Sequence, residues 1–464
     1  MKINRHILDN GLRLVHSRDE STQMVALNLL YKVGARDEHP EHTGFAHLFE
    51  HLMFGGSVNI PDYDMPLQLA GGENNAWTNN DITNYYLTIP RQNVEIAFWL
   101  ESDRMLSLEF SERSLEVQRG VVMEEFKQRC LNQPYGDVGH LLRPLAYRKH
   151  PYRWPTIGKD LSHIANATLD EVKEFFFRFY APNNAILAVT GNISFEEAVA
   201  LTEKWFGPIP RREVPERNLP EEPEQTEERR LTVERDVPLD SLFMAYHMCN
   251  HFHPDYYAFD TLSDLLSNGR SSRLNRHLVQ EKQLFSSIDA YISGSLDAGL
   301  FHICGKPSVG VSLERAEEAV REELERLQCE AVGERELEKV KNKFESTQIF
   351  GNINYLNVAT NLAWFELLGR AETWRGRRTV TVPLPSNSCR EPHSRFSGRR
   401  MGLYSIININ EKYSWNLQRA LQSVVFSWIA YCHRTDRGHR ARFCRYADDW
   451  TSQYGGTGSG FFCQ

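Results

Sequence analysis

The sequence predicts an α+β protein made of two related domains, each a mainly antiparallel sheet packed by helices. Three observations predict it. Short apolar runs that read as strands alternate with segments of helical periodicity. Several of the strand-like runs lie close enough together to pair as hairpins. The order strand, helix, hairpin then recurs after a proline-rich acidic stretch, at a spacing of roughly 210 residues, as an internal duplication would give.

The elements follow in order. The opening residues read as a strand, a turn at Asn10-Gly11 and a second strand. Segment 23–33 has the apolar density of a buried strand. From Thr43 the pattern turns helical, with Phe45, Leu48, Phe49 and Leu52 at spacings of three and four, until Gly55-Gly56 stops it. Segments 76–79 and 82–89 form a predicted hairpin that ends at Pro90. Helices are expected over 94–107 and 111–128, a buried strand over 185–191 and a helix over 195–205. Residues 208–230 hold five prolines and a dense run of glutamates, a composition that buries no core. Beyond it, 241–248 reads as a strand, 255–267 as a helix, and 287–293 with 299–304 as a second hairpin. The expected division is a first domain over 1–210, a linker over 211–230, and an incomplete second domain over 231–374. The second copy of the helix contains no histidine pair, so the first copy keeps the chemistry.

The last stretch differs. Residues 375–464 carry 14 Lys+Arg against 5 Asp+Glu, hold four of the eight cysteines, and end in a Gly/Ser/Thr-rich run. A reading frame shifted near Trp374 is the preferred explanation and a disordered basic tail the alternative; neither assigns it a function.

Composition narrows the function classes. With 41% apolar and 25% charged residues the chain is an ordinary globular protein. A formal net charge of −8 argues against a nucleic-acid partner. No run approaches the ~18 apolar residues of a membrane span, and the N-terminus lacks a signal-peptide core. The eight cysteines form no C-x-x-C pair. Reduced thiols and a cytoplasmic location are therefore expected.

One motif carries chemistry. In His47-Leu-Phe-Glu50-His51 the two histidines stand at i and i+4 on one helix face, so both imidazoles can reach one ion at roughly 2.0–2.1 Å. Glu50, at the edge of that face, is placed to take a proton from water at the metal. A catalytic zinc site needs a third protein ligand and one open position. The stretch Gln118-Arg-Gly-Val-Val-Met-Glu-Glu125 offers two adjacent carboxylates, Glu124 and Glu125, on a separate helix.

These residues resemble a known family. Gly44-Phe-Ala-His47-Leu-Phe-Glu50-His51-Leu-Met-Phe-Gly-Gly56, Asn75-Ala-Trp-Thr-Asn-Asn-Asp81 and the stretch 118–125 are similar to the motifs of the insulinase/pitrilysin zinc peptidases, inverzincins with the order H-x-x-E-H. The likeness is to short members such as the mitochondrial processing peptidase subunits, over roughly residues 5–370. The resemblance implies half of a clamshell, a Zn²⁺ cofactor held by His47, His51 and Glu125, and Glu50 as general base of peptide hydrolysis. It also implies that Asn75, Ala76, Trp77 and Thr78 form an edge strand on which a peptide substrate adds by backbone pairing.

Two departures from the family pattern stand out. Where the family often has a supporting glutamate, this chain has Gln118. Active members also hold the substrate carbonyl with an arginine and a tyrosine spaced R-x6-Y; Val279 and Ser286 occupy those positions here. Valine has no donor and serine lacks the reach of tyrosine. The resemblance therefore implies a homologous partner subunit that supplies the Arg/Tyr pair, or else a homodimer. The alternative is a non-catalytic structural subunit that retains a zinc site.

Overall fold

The computed structural model describes residues 2–369, 371–372 and 403–409; the expectations for the remainder of the basic tail, including a shifted frame, lie outside the described residues. Strands β1 (Asn4–Ile7), β2 (Arg13–Arg18), β3 (Met24–Tyr31), β4 (Glu73–Thr78), β5 (Thr83–Pro90) and β6 (Ala185–Gly191) form a six-stranded sheet in the order β1-β2-β6-β3-β5-β4. Only β2 and β6 run parallel. The turn expected at Asn10-Gly11 is present: Gly11 adopts φ 91°, and the Asn10 amide donates to the carbonyls of Phe206 and Ile209 at 2.8 and 2.9 Å.

Strand β3 explains its own apolar run, because both of its faces are covered. Val25, Leu27, Leu29 and Tyr31 face the main core with the helices Phe45–Leu52, Val94–Leu106 and Leu169–Phe179. Ala26 and Leu30 face the opposite side, under Val358, Ala359, Leu362 and Ala363 of helix Tyr355–Leu367. That helix lies inside the span 231–374 expected to form the second domain, yet it packs on the first sheet. Its apolar residues close a sheet face that would otherwise meet water.

A second sheet contains β7 (Arg229–Glu234), β8 (Ser241–Met248), β9 (Phe285–Ser293), β10 (Gly299–Pro307) and β11 (Leu403–Ile409), in the order β7-β11-β8-β10-β9. It packs on helices Tyr256–Ser267, Leu313–Cys329 and Glu334–Gly351 around its own core. The two units thus share an order: strand, helix, hairpin. They differ in two respects: β1 has no counterpart in the second sheet, and one strand is reversed. In the first sheet β6 lies parallel to β2 and antiparallel to β3. In the second, β11 fills the matching slot with reversed polarity, antiparallel to β7 and parallel to β8.

Residues 210–226 between the units have no regular structure, as their composition predicts, but they are fastened. Glu222 accepts the backbone N–H groups of Arg148, Lys149 and His150 at 2.7–2.9 Å. Arg217 pairs with Asp37, and Arg212 donates to the Tyr180 carbonyl at 2.8 Å. At the junction of the units Arg36 contacts Asp81 at 3.1 Å and Asp297, from the β9–β10 turn, at 2.9 Å.

Candidate metal centre and active site

The helix Phe45–Leu52 is short and two-sided. Phe45, Leu48, Phe49 and Leu52 enter the main core, and the Phe49 ring stacks on Phe175 and Tyr180 with centroids 4.9 and 5.3 Å apart. The helix begins at Gly44, whose φ of 89° is left-handed; a Cβ there would meet Ile164 at 2.7 Å. With one face anchored, His47 and His51 point from the other toward helix Glu112–Phe126.

Glu125, from that second helix, closes the constellation. Its Oε2 lies 3.5 Å from His47 Nε2 and 3.4 Å from His51 Nε2, and the imidazoles stand nearly perpendicular, at 87°. Tetrahedral donors at 2.0–2.1 Å from one zinc ion lie ~3.3–3.4 Å from one another. The observed separations match that figure and exceed an ordinary N–H···O hydrogen bond. Two imidazoles and a carboxylate are also the donor set of a catalytic zinc site with one position left open. These three are the one group of metal-ligating side chains found among the described residues.

The electrostatics suit a cation. Burial pushes the His47 imidazole down to about 4, leaving it neutral and able to ligate at neutral pH. The approach of His51, aided by the nearby His47 and Arg129, holds the Glu125 carboxyl below its usual range. The other oxygen of Glu125 is taken by Arg129 Nη2 at 3.0 Å, which orients Oε2 toward the histidines. Glu124 points elsewhere, 3.5 Å from Lys127.

Glu50 is mostly buried beside His51. Burial raises its carboxyl, and a hydrogen bond from Thr78 opposes the rise. Thr78 ends β4, the outermost strand of its sheet, which carries Asn75, Ala76 and Trp77 as well. Asn75 is exposed, Ala76 packs against the main core, and Trp77 packs on the opposite side. The Ala76 N–H is held by the Asn75 side-chain oxygen at 2.8 Å.

The remaining positions are not members of the metal cluster. Gln118 is half-buried on the helix of Glu125. Val279 belongs to the wide helical turn Asn275–Glu281 and packs against the second core. Ser286 donates to the Lys306 carbonyl at 3.0 Å within the second sheet. Sequence reasoning missed Arg129, although its position four residues after Glu125 is a usable signal. It also missed Glu38, which accepts the N–H groups of Gly44 and Ala46.

Comparison with known proteins places these features. Residues 13–159 match Insulinase (Peptidase family M16), and residues 166–344 match the Peptidase M16 inactive domain. The chain is 32% identical over 342 residues to the zinc protease PqqE of Helicobacter pylori, covering 72% of this chain and 76% of that protein. A solved structure of a protease from Helicobacter pylori superimposes with a TM-score of 0.77 at 26% identity, covering 88% of this chain and 99% of that one. The first half of the periplasmic protease PqqL from Escherichia coli shares the fold at a TM-score of 0.63 and 17% identity, covering 92% and 96%. That last likeness corrects the expectation of a cytoplasmic protein. The fold is at home in a periplasmic protease, so cysteine spacing and an unremarkable N-terminus do not assign the cytoplasm. No helix among the described residues is long and apolar enough to cross a membrane.

Proposed function

The chain belongs to the insulinase (peptidase M16) family, and on that premise we propose that it is a zinc-dependent endopeptidase subunit. The observation that carries the reading is the approach of Glu125 Oε2 to both imidazoles of the H-x-x-E-H helix, at 3.5 and 3.4 Å. His47, His51 and Glu125 would hold the ion. Zinc bound there supplies Lewis-acid chemistry, polarising a peptide carbonyl and acidifying water toward a pKa of ~7.

The chain's own residues do the rest. Glu50 accepts the proton of the attacking water and returns it to the leaving amine; its raised affinity for a proton suits both steps. That carboxyl neighbours Thr78 at the end of the outer strand β4, where a peptide backbone would pair. Arg129 holds Glu125 in a one-oxygen pose.

Val279 and Ser286 leave this chain without the family's carbonyl-holding pair, so we assign those donors to a homologous partner subunit. Losing such donors typically costs ~10²–10³ in turnover. The same two residues favour a second reading, a non-catalytic subunit that keeps a metal site. Cleavage of a quenched peptide separates them. Turnover that requires zinc and rises on mixing with a family member bearing the Arg/Tyr pair supports the peptidase. Zinc uptake without turnover under any pairing supports the scaffold, and full activity from a strict homodimer removes the need for a partner.

A further inference from the structure

The metal-ligand helix has no side chain of its own to cap it, because its N-cap is Gly44. Its first-turn N–H groups are nevertheless taken by a residue from outside the helix. Glu38 accepts the Gly44 N–H at Oε2 and the Ala46 N–H at Oε1, both at 2.9 Å. Ala46 immediately precedes His47. The Glu38 side chain is buried, 7% exposed, so water does not substitute for it.

Glu38 is itself rigidly mounted. It follows the tight turn Ala35–Asp37, whose Ala35 and Arg36 N–H groups donate to the carbonyls of Asn79 and Asn80 at 3.1 and 2.9 Å. Asn79 comes directly after Thr78, the last residue of the outer strand. The Trp154 indole donates to the Ala35 carbonyl at 2.9 Å. One turn therefore joins the tip of the outer strand to the start of the metal-ligand helix.

We propose that Glu38 is a positioning residue: it fixes the first turn of helix Phe45–Leu52 and thereby the direction from which His47 meets the ion. This rests on the metallopeptidase reading above. A helix of eight residues has little cooperativity of its own, and its first turn carries a ligand. Loosening that turn moves His47 relative to Glu125, which is held from a different helix.

The test uses the full chain, its E38A variant and its E38Q variant, with two readouts besides turnover. Amide hydrogen exchange is followed in the metal-free proteins, and zinc affinity is measured by chelator competition. In E38A the Ala46–Phe49 amides should exchange faster while second-sheet amides are unchanged, and zinc should bind about tenfold more weakly. E38Q, which keeps one accepting oxygen and replaces the other with an NH2 group that cannot accept, should fall between. Unchanged exchange and affinity in both variants overturn the proposal. Faster exchange with wild-type affinity overturns it too, since Glu38 would then stabilise the helix without bearing on the site. If E38A does not fold, E38Q decides by the same readings. A wild-type chain that takes up no zinc contradicts the peptidase reading instead, and the exchange comparison then still decides whether Glu38 holds the helix.

Discussion

Thr78, which ends an outer β-strand, neighbours the Glu50 carboxyl and opposes the rise that burial gives that candidate general base. Base and peptide-pairing strand are thereby set in one frame.

Glu50→Gln should keep zinc and lose turnover. The amide matches the carboxylate in shape, but it cannot take a proton. General acid–base catalysis typically contributes ~10²–10⁴-fold, and a loss of that size at unchanged metal content is expected. Metal analysis beside peptide cleavage reads both quantities; retention of most activity would show that another group is the base.

Glu125→Gln and Glu124→Gln should separate cleanly. The first removes a charged donor aimed at both imidazoles, and zinc affinity should fall by at least tenfold. The second touches a carboxylate paired with exposed Lys127, and affinity should hold. Chelator competition on the two variants checks the assignment, which an equal loss in both would contradict.

Arg104→Ala should destabilise the first unit by about 3–5 kcal/mol. Arg104 is 1% exposed, bonds Glu101, and lies over the Tyr85 and Tyr63 rings at 4.4 and 4.6 Å. Truncation leaves the Glu101 charge buried with only the Tyr63 hydroxyl, at 2.7 Å. Urea unfolding measures the change; a loss under 1 kcal/mol would mean that water reaches Glu101.

Asp260→Asn should stabilise the protein at neutral pH. Burial, reinforced by Asp264, raises the Asp260 carboxyl to about 6 from an ordinary value of 3.8. The folded state thus keeps its proton up to about pH 6 while the unfolded chain releases it near 3.8, so this group's contribution falls as pH rises between the two. The variant should gain on the order of 1 kcal/mol at pH 7 and little at pH 4. Thermal melts at the two pH values test the sign, which equal shifts at both would contradict.

What the sequence revealed, and what it hid, follows the range of the interactions. The spacing of Phe45, Leu48, Phe49 and Leu52 is local, so the helix and its histidines were legible, as was the hairpin of β4 and β5. Residues 23–33 read as a buried strand because both faces of β3 are covered. Assigning helix Tyr355–Leu367 to the first sheet was beyond local pattern, since its partners Ala26 and Leu30 lie over 300 residues away. The polarity of β11 is likewise set by pairing and not by periodicity. Glu38 was invisible for the same reason: a cap supplied from outside the helix leaves no S/T-x-x-E signature.

The proposed chemistry depends on one ion meeting two histidines and one glutamate. Crystals of the zinc-loaded protein, with anomalous data collected on both sides of the zinc edge, address it most directly. A single anomalous peak within ~2.0–2.2 Å of His47 Nε2, His51 Nε2 and a Glu125 oxygen is the predicted result. A peak elsewhere, or one that leaves Glu125 out of the coordination sphere, would contradict it.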